Sequence, residues 1–114
     1  MSKSLAILKL GICSICCVFL LGSCKSAPQK PAPVKHTVEI KGMKFLPGEL
    51  VVNRGDTVVW INRDIVAHDV TEEPGKAWAS PVIPSDASWS MVVNKSEHYY
   101  CSIHVVMKGK IQVQ

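Results

Sequence analysis

Asn53-Arg54-Gly55-Asp56-Thr57-Val58-Val59-Trp60-Ile61-Asn62 reads as a turn feeding a strand. Asparagine, glycine and aspartate accept the backbone angles of a tight turn. The run from Thr57 to Ile61 is entirely β-branched or aromatic, the composition of a half-buried strand. The same pattern recurs at short intervals on both sides. Upstream, His36-Thr-Val-Glu-Ile-Lys41 alternates, and Pro47-Gly48 breaks the chain before Glu49-Leu-Val-Val52. Downstream, His68-Asp-Val-Thr71 reads as a short strand, followed by a loop-rich stretch marked by Glu73-Pro-Gly-Lys76 and by Pro81 and Pro84. Ser88-Trp-Ser-Met-Val-Val93, His98-Tyr-Tyr-Cys101 and Gly109-Lys-Ile-Gln-Val-Gln114 complete the series. No segment sustains helical periodicity. Seven to eight short strands at this spacing predict an all-β fold, a two-sheet Greek-key β-sandwich. Trp60, Tyr99 and Phe45 are expected in its core, with Trp78, Trp89 and Tyr100 partly exposed.

The start of the chain has a different character. Lys3 and Lys9 precede an apolar run, Leu10 to Leu21, which ends at Gly22-Ser23-Cys24. A charged start, a short apolar middle and small residues before a cut describe an export signal. The run is shorter than the roughly 18–20 residues that span a bilayer. Leu21-Gly22-Ser23-Cys24 resembles the bacterial lipobox, which implies cleavage before Cys24 and a diacylglycerol on its thiol. Lipid chains contribute roughly 0.8 kcal/mol per buried methylene, and two or more anchor stably. The expected organisation is a lipoprotein signal peptide over residues 1–23, a lipidated cysteine and Pro-rich linker over 24–35, and a folded domain over 36–114. The linker, with Pro28, Pro31 and Pro33, favours an extended spacer.

This organisation settles the cysteines. Cys13, Cys16 and Cys17 leave with the signal and Cys24 carries lipid, so Cys101 alone remains in the domain. A lone thiol outside the cell forms no intramolecular disulfide and calls for another use. Charge excludes one class of partner. From His36 onward, 8 basic and 9 acidic residues leave a net charge of −1, without the basic stripe of a nucleic-acid binder.

Cys101-Ser-Ile-His104-Val-Val-Met107 places a thiolate, an imidazole and a thioether within seven residues, between two strands. Such a loop can curl round one ion. A second imidazole must come from elsewhere, and His68, just past the Thr57–Asn62 strand, is the natural source. Two imidazoles and a thiolate with a distant thioether describe a blue-copper site. Zinc favours Cys and His alone in a closed tetrahedron, and a thioether is a poor ligand for it. His36 and His98 are expected at the surface, since His98 and Cys101 fall on opposite faces of one strand.

The run Cys101-x-x-His104-x-x-Met107-Lys-Gly-Lys-Ile-Gln-Val resembles the C-terminal signature of the plastocyanin-type cupredoxins, and its short His104–Met107 spacing is most similar to the amicyanins. Gly55-Asp56-Thr57-Val58-Val59-Trp60-Ile61-Asn62-Arg63, followed by His68, resembles the same group. The resemblance runs from about Val38 to Val113. It implies one copper per chain cycling between Cu(I) and Cu(II), with His68, Cys101, His104 and Met107 as ligands. It also implies one-electron transfer to redox proteins that dock transiently near His104, whose ring edge would lie at the surface.

Three departures stand out. Ile103 stands where the family often has proline, and its N–H could reach the sulfur. Asp69 stands where asparagine is common, placing a carboxylate beside the site. Ser96-Glu97-His98 replaces a Gly-x-Tyr run, so that corner is built differently.

The sequence therefore predicts a monomeric, non-enzymatic electron carrier at the bacterial cell envelope. It would be held by lipid, on the outer membrane facing the periplasm in preference to the inner membrane. The alternative is a copper chaperone, store or sensor that shuttles no electrons. A copper oxidase or nitrite reductase would need further copper ligands that these four histidines do not supply, and a dinuclear centre would need two bridging cysteines.

Overall fold

The computed structural model describes residue 11 and residues 22–114; apart from Gly11, Gly22 and Ser23, the expected signal peptide lies outside the described residues. The chain divides between Lys30 and Pro31. Before that point the described residues are exposed and have no regular secondary structure. The unit Pro31–Gln114 carries all the regular secondary structure of the described residues.

Eight strands form it: β1 (Lys35–Ile40), β2 (Phe45–Leu46), β3 (Glu49–Val52), β4 (Thr57–Asn62), β5 (Thr71–Glu73), β6 (Ser88–Val92), β7 (Glu97–Tyr100) and β8 (Lys108–Val113). They make two four-stranded sheets, ordered β2-β1-β4-β6 and β3-β8-β7-β5. Both sheets are mixed. β1 runs parallel to β4 and β3 parallel to β8, while the other pairs are antiparallel. The expected all-β sandwich is what the chain forms.

β4 is central because its side chains alternate cleanly. Val58, Trp60 and Asn62 are fully buried, and Thr57, Val59 and Ile61 are half-buried. The turn before it works as its residue types predict: Asp56 N–H donates to the Asn53 carbonyl at 3.0 Å, and Gly55 takes a φ of 92°, which favours glycine. Trp60 anchors the space between the sheets. Its ring lies 5.5 Å from Trp89 and 5.5 Å edge-on to Tyr99, which in turn meets Phe45 edge-on at 4.8 Å. Edge-on and offset aromatic pairs contribute beyond the area they bury. Burial pushes the Tyr99 phenol up to about 12, so it stays neutral. As expected, Trp78, Trp89 and Tyr100 are half-buried.

One expected strand is displaced. His68–Thr71 does not form a strand; β5 starts at Thr71. His68 instead makes an isolated bridge to Ile83, and the amide of Asp69 turns toward the Cys101 sulfur, so the segment is used up in fixing the site. β2, only two residues long, is an addition too short to carry a pattern.

The strands give the sandwich two poles. β1 and β4 end together at Ile40 and Asn62, and Arg63 N–H donates to the Ile40 carbonyl at 2.8 Å. β7 ends and β8 begins at the same pole, paired through Tyr100 and Lys108. Val52, Asp56 and Val93 gather at the other pole.

Gly109 on β8 faces Tyr99 across the ladder, and a Cβ there would overlap the Tyr99 ring. Gly109→Ala is expected to lower unfolding stability by about 3 kcal/mol, at the upper end of overpacking costs. Chemical denaturation checks this, and Tyr99→Leu in the same chain is expected to recover part of the loss.

Candidate metal centre

The hydrogen-bonding needs of two loops at the β4–β7 pole set the position of every candidate donor. The first loop leaves β4 at Asn62, which is fully buried and must satisfy its amide internally. Its Nδ2 donates to the carbonyls of Val66 at 2.8 Å and Ile83 at 2.9 Å, and its Oδ1 accepts from Asp64 N–H at 2.9 Å. The loop is thereby folded back so that His68 enters the core. His68 is fully buried, and its backbone pairs with Ile83 in both directions, at 3.2 and 2.7 Å.

The His68 ring is oriented by Asp64. Nε2 lies 2.9 Å from one oxygen of Asp64, which also accepts from Met43 N–H at 3.0 Å, while the other oxygen accepts from Gly42 N–H at 2.7 Å. A carboxylate on one ring nitrogen makes that nitrogen the donor and leaves the lone pair on the other. Burial pushes the Asp64 carboxyl up, but the Met43 and Gly42 amides and the His68 ring outweigh it and hold the group below its usual range. Nδ1 of His68 therefore faces the site with its lone pair free.

The second loop joins β7 to β8 as two successive turns. His104 N–H donates to the Cys101 carbonyl at 3.2 Å, and Met107 N–H donates to the His104 carbonyl at 3.0 Å. Cys101 N–H closes the loop on the Met107 carbonyl at 3.1 Å. Cys101, His104 and Met107 thus stand at the corners of the turns. Cys101 is fully buried, Met107 is 3% exposed, and His104 is half-buried, while Ser102, Ile103, Val105 and Val106 between them face outward.

The loops meet through three atoms. Cys101 Sγ lies 3.7 Å from Nδ1 of His68 and 3.7 Å from Nδ1 of His104, and the two nitrogens are 3.2 Å apart. The point equidistant from the corners of that triangle lies about 2.1 Å from each, the length of a metal–imidazole bond and slightly inside the ~2.3 Å of metal–thiolate. Two imidazole nitrogens this close to each other and to a sulfur either share a proton or hold a cation between them. The donor set and its spacing fit a metal ion, and this is the one His/Cys/Asp/Glu cluster with metal-binding spacing among the described residues. A trigonal His, His, Cys set with a buried methionine in the same loop favours copper over zinc.

Asp69 resolves two of the departures. Its carboxylate accepts from Ser102 N–H at 2.7 Å, from the Ser102 hydroxyl and from the Thr71 hydroxyl at 3.3 Å, so it braces the cysteine loop. Its own N–H lies 3.4 Å from Sγ; among the described residues this amide, rather than that of Ile103, reaches the sulfur.

All four expected residues thus lie at one pole. His36 and His98 lie elsewhere: His36 Nε2 pairs with Asp56 at 2.8 Å, and His98 is exposed on β7. Asp64 and Asn62 are the residues that sequence reasoning missed. A signal existed for Asp64, a carboxylate four residues before a candidate metal-ligating histidine.

Comparisons with known proteins agree with this geometry. The family described as copper binding proteins, plastocyanin/azurin family, matches residues 32–114. Amicyanin of Paracoccus versutus is 30% identical over 83 residues, covering 68% of this chain, and amicyanin of Paracoccus denitrificans is 34% identical over 83 residues, again 68% of this chain. The chain spans 63% of the length of each of these two relatives. A solved structure of the Cu(I) form of an amicyanin variant superposes with a TM-score of 0.67 at 32% identity, over 75% of this chain and 87% of that one. With the match spanning the whole folded unit and the donors assembled as described, the chain belongs to the copper-binding plastocyanin/azurin family, the cupredoxins.

Proposed function

We propose that this protein carries single electrons between redox proteins at a bacterial cell envelope, using one copper held by His68 Nδ1, Cys101 Sγ, His104 Nδ1 and Met107. The observation that supports this most is the buried triangle of two imidazole nitrogens and a thiol sulfur, with sides of 3.2 and 3.7 Å. Bound copper would supply a one-electron couple, and the protein residues do the rest. Asp64 and the Ile83 bridge keep the His68 ring from turning, the Cys101–Met107 turns keep the other donors in place, and Asp69 fixes Ser102 beside the sulfur. Such a frame resists rearrangement when charge at its centre changes, which keeps a one-electron exchange fast.

His104 is the donor that reaches the surface. Ile103, Val105 and Val106 beside it are exposed, and Ile65 and Val66 are exposed on the other loop of the same pole. An apolar rim around a half-exposed ligand suits brief, small-area docking of a redox protein. The reading includes no catalytic role. It further takes the protein to be exported, monomeric and anchored through lipid on Cys24, on the periplasmic face of the outer membrane.

The test is a titration of the full chain with cupric ion, followed by visible and paramagnetic resonance spectra. The expected result is stoichiometric binding with intense thiolate-to-copper colour, abolished in Cys101→Ala. A colourless, weakly held ion in the parent protein would end the proposal. Tight binding with no reversible one-electron couple would favour a copper chaperone or store instead.

Docking has its own check. Val105→Asp is expected to leave the visible spectrum intact while slowing the second-order exchange with a redox partner, measured by stopped flow. An unchanged rate would remove this face as the docking surface.

A further inference from the structure

The clamp that fastens the linker to the domain lies at the pole away from the metal centre. Asp56 is 2% exposed, and its carboxylate accepts from Val34 N–H at 2.9 Å, from Asn53 N–H at 3.0 Å and from His36 Nε2 at 2.8 Å. Thr57 N–H in turn donates to the Val34 carbonyl at 2.9 Å. The Val34 amide, with His36 and Asn53, holds the Asp56 carboxyl down at about 2, so the clamp stays charged across the physiological range. The chain is therefore fixed to the domain from Val34 onward, beside Asn53, Gly55 and Val93.

From there β1 and β4 run side by side to Ile40 and Asn62, where the metal loops begin. Six residues per strand, at about 3.3 Å each, put those loops roughly 17 Å farther on before the loops add their own depth. The segment from Cys24 to Val34, extended at about 3.1 Å per residue, reaches roughly 30 Å. Whatever path that segment takes, the metal centre is the far end of the domain. Bringing His104 down to a lipid surface would require the linker to double back along the whole length of the sheets, using more than half its reach. Pro28, Pro31 and Pro33 stiffen the linker against that.

We infer that the linker enters at the pole opposite the metal centre, so that a lipid on Cys24 leaves His104 and its apolar rim facing outward, toward a redox protein in the aqueous phase. This rests on the lipidation reading above. It assigns the rim to a water-soluble partner in preference to one embedded in the same bilayer.

The experiment uses the full chain, matured with its lipid, in phosphatidylcholine vesicles carrying a quencher-labelled lipid. A fluorophore is placed at the clamp pole through Arg54→Cys or at the metal pole through Ile65→Cys; both positions are exposed, and Cys101 is buried. The expected result is several-fold stronger quenching at position 54 than at position 65. In the copper-loaded protein, oxidation of the cuprous form by aqueous ferricyanide should run at the same rate before and after proteolytic release from the vesicles. Equal quenching at the two positions, stronger quenching at position 65, or a rate that rises sharply on release would overturn the outward orientation while leaving the anchor intact. A mature chain whose mass lacks the diacylglycerol would overturn the anchor reading, and the orientation with it.

Discussion

Two imidazole nitrogens 3.2 Å apart, both facing one buried sulfur, is an arrangement that a protein must enforce. Left to itself, His68 would turn its ring and His104 would swing into solvent. What prevents the first is the hydrogen bond from His68 Nε2 to Asp64, which fixes both the ring plane and the position of the lone pair. Asp64 is itself held by two amides of the segment between β1 and β2 and by Asn62 at the end of β4. The centre is thus tied to the most deeply buried strand of one sheet and, through Cys101, to the paired strands β7 and β8 of the other.

That two-sided attachment explains why a sandwich suits the task. Each sheet supplies a rigid end from which one short loop projects, and the sheets are locked by Trp60, Tyr99 and Phe45 a few residues below. Gly109 leaves room for the Tyr99 ring against β8, close to the cysteine in the chain. A loss of packing there would be felt at Cys101, two residues on. The site is therefore coupled to core stability, and a bound ion would return stabilisation by favouring the folded state.

Much of this was legible in the sequence. Glu49–Val52 and Thr57–Asn62 form strands with the bounds their composition predicts, because alternation and turn residues mark both ends. The Cys101–Met107 cluster was legible because three donors fall in one loop. The rest was hidden for physical reasons. The parallel pairing of β1 with β4 joins segments that no local pattern links. His68–Val70 looks like a strand by composition, yet its backbone is claimed by Ile83, Ser80 and the sulfur. In the sequence Asp69 reads only as a carboxylate beside the site, and the fold shows it engaged by Ser102 and Thr71. Asp64 reads as one more loop carboxylate until the loop is folded.

The three-donor frame is expected to take copper without rearranging. Copper K-edge X-ray absorption of the loaded full chain, in both oxidation states at mildly alkaline pH, tests this most directly. Two nitrogen neighbours and one sulfur neighbour should be present in each state, with only small changes in bond length. A shell without sulfur, or the loss of a nitrogen neighbour on reduction, would contradict it.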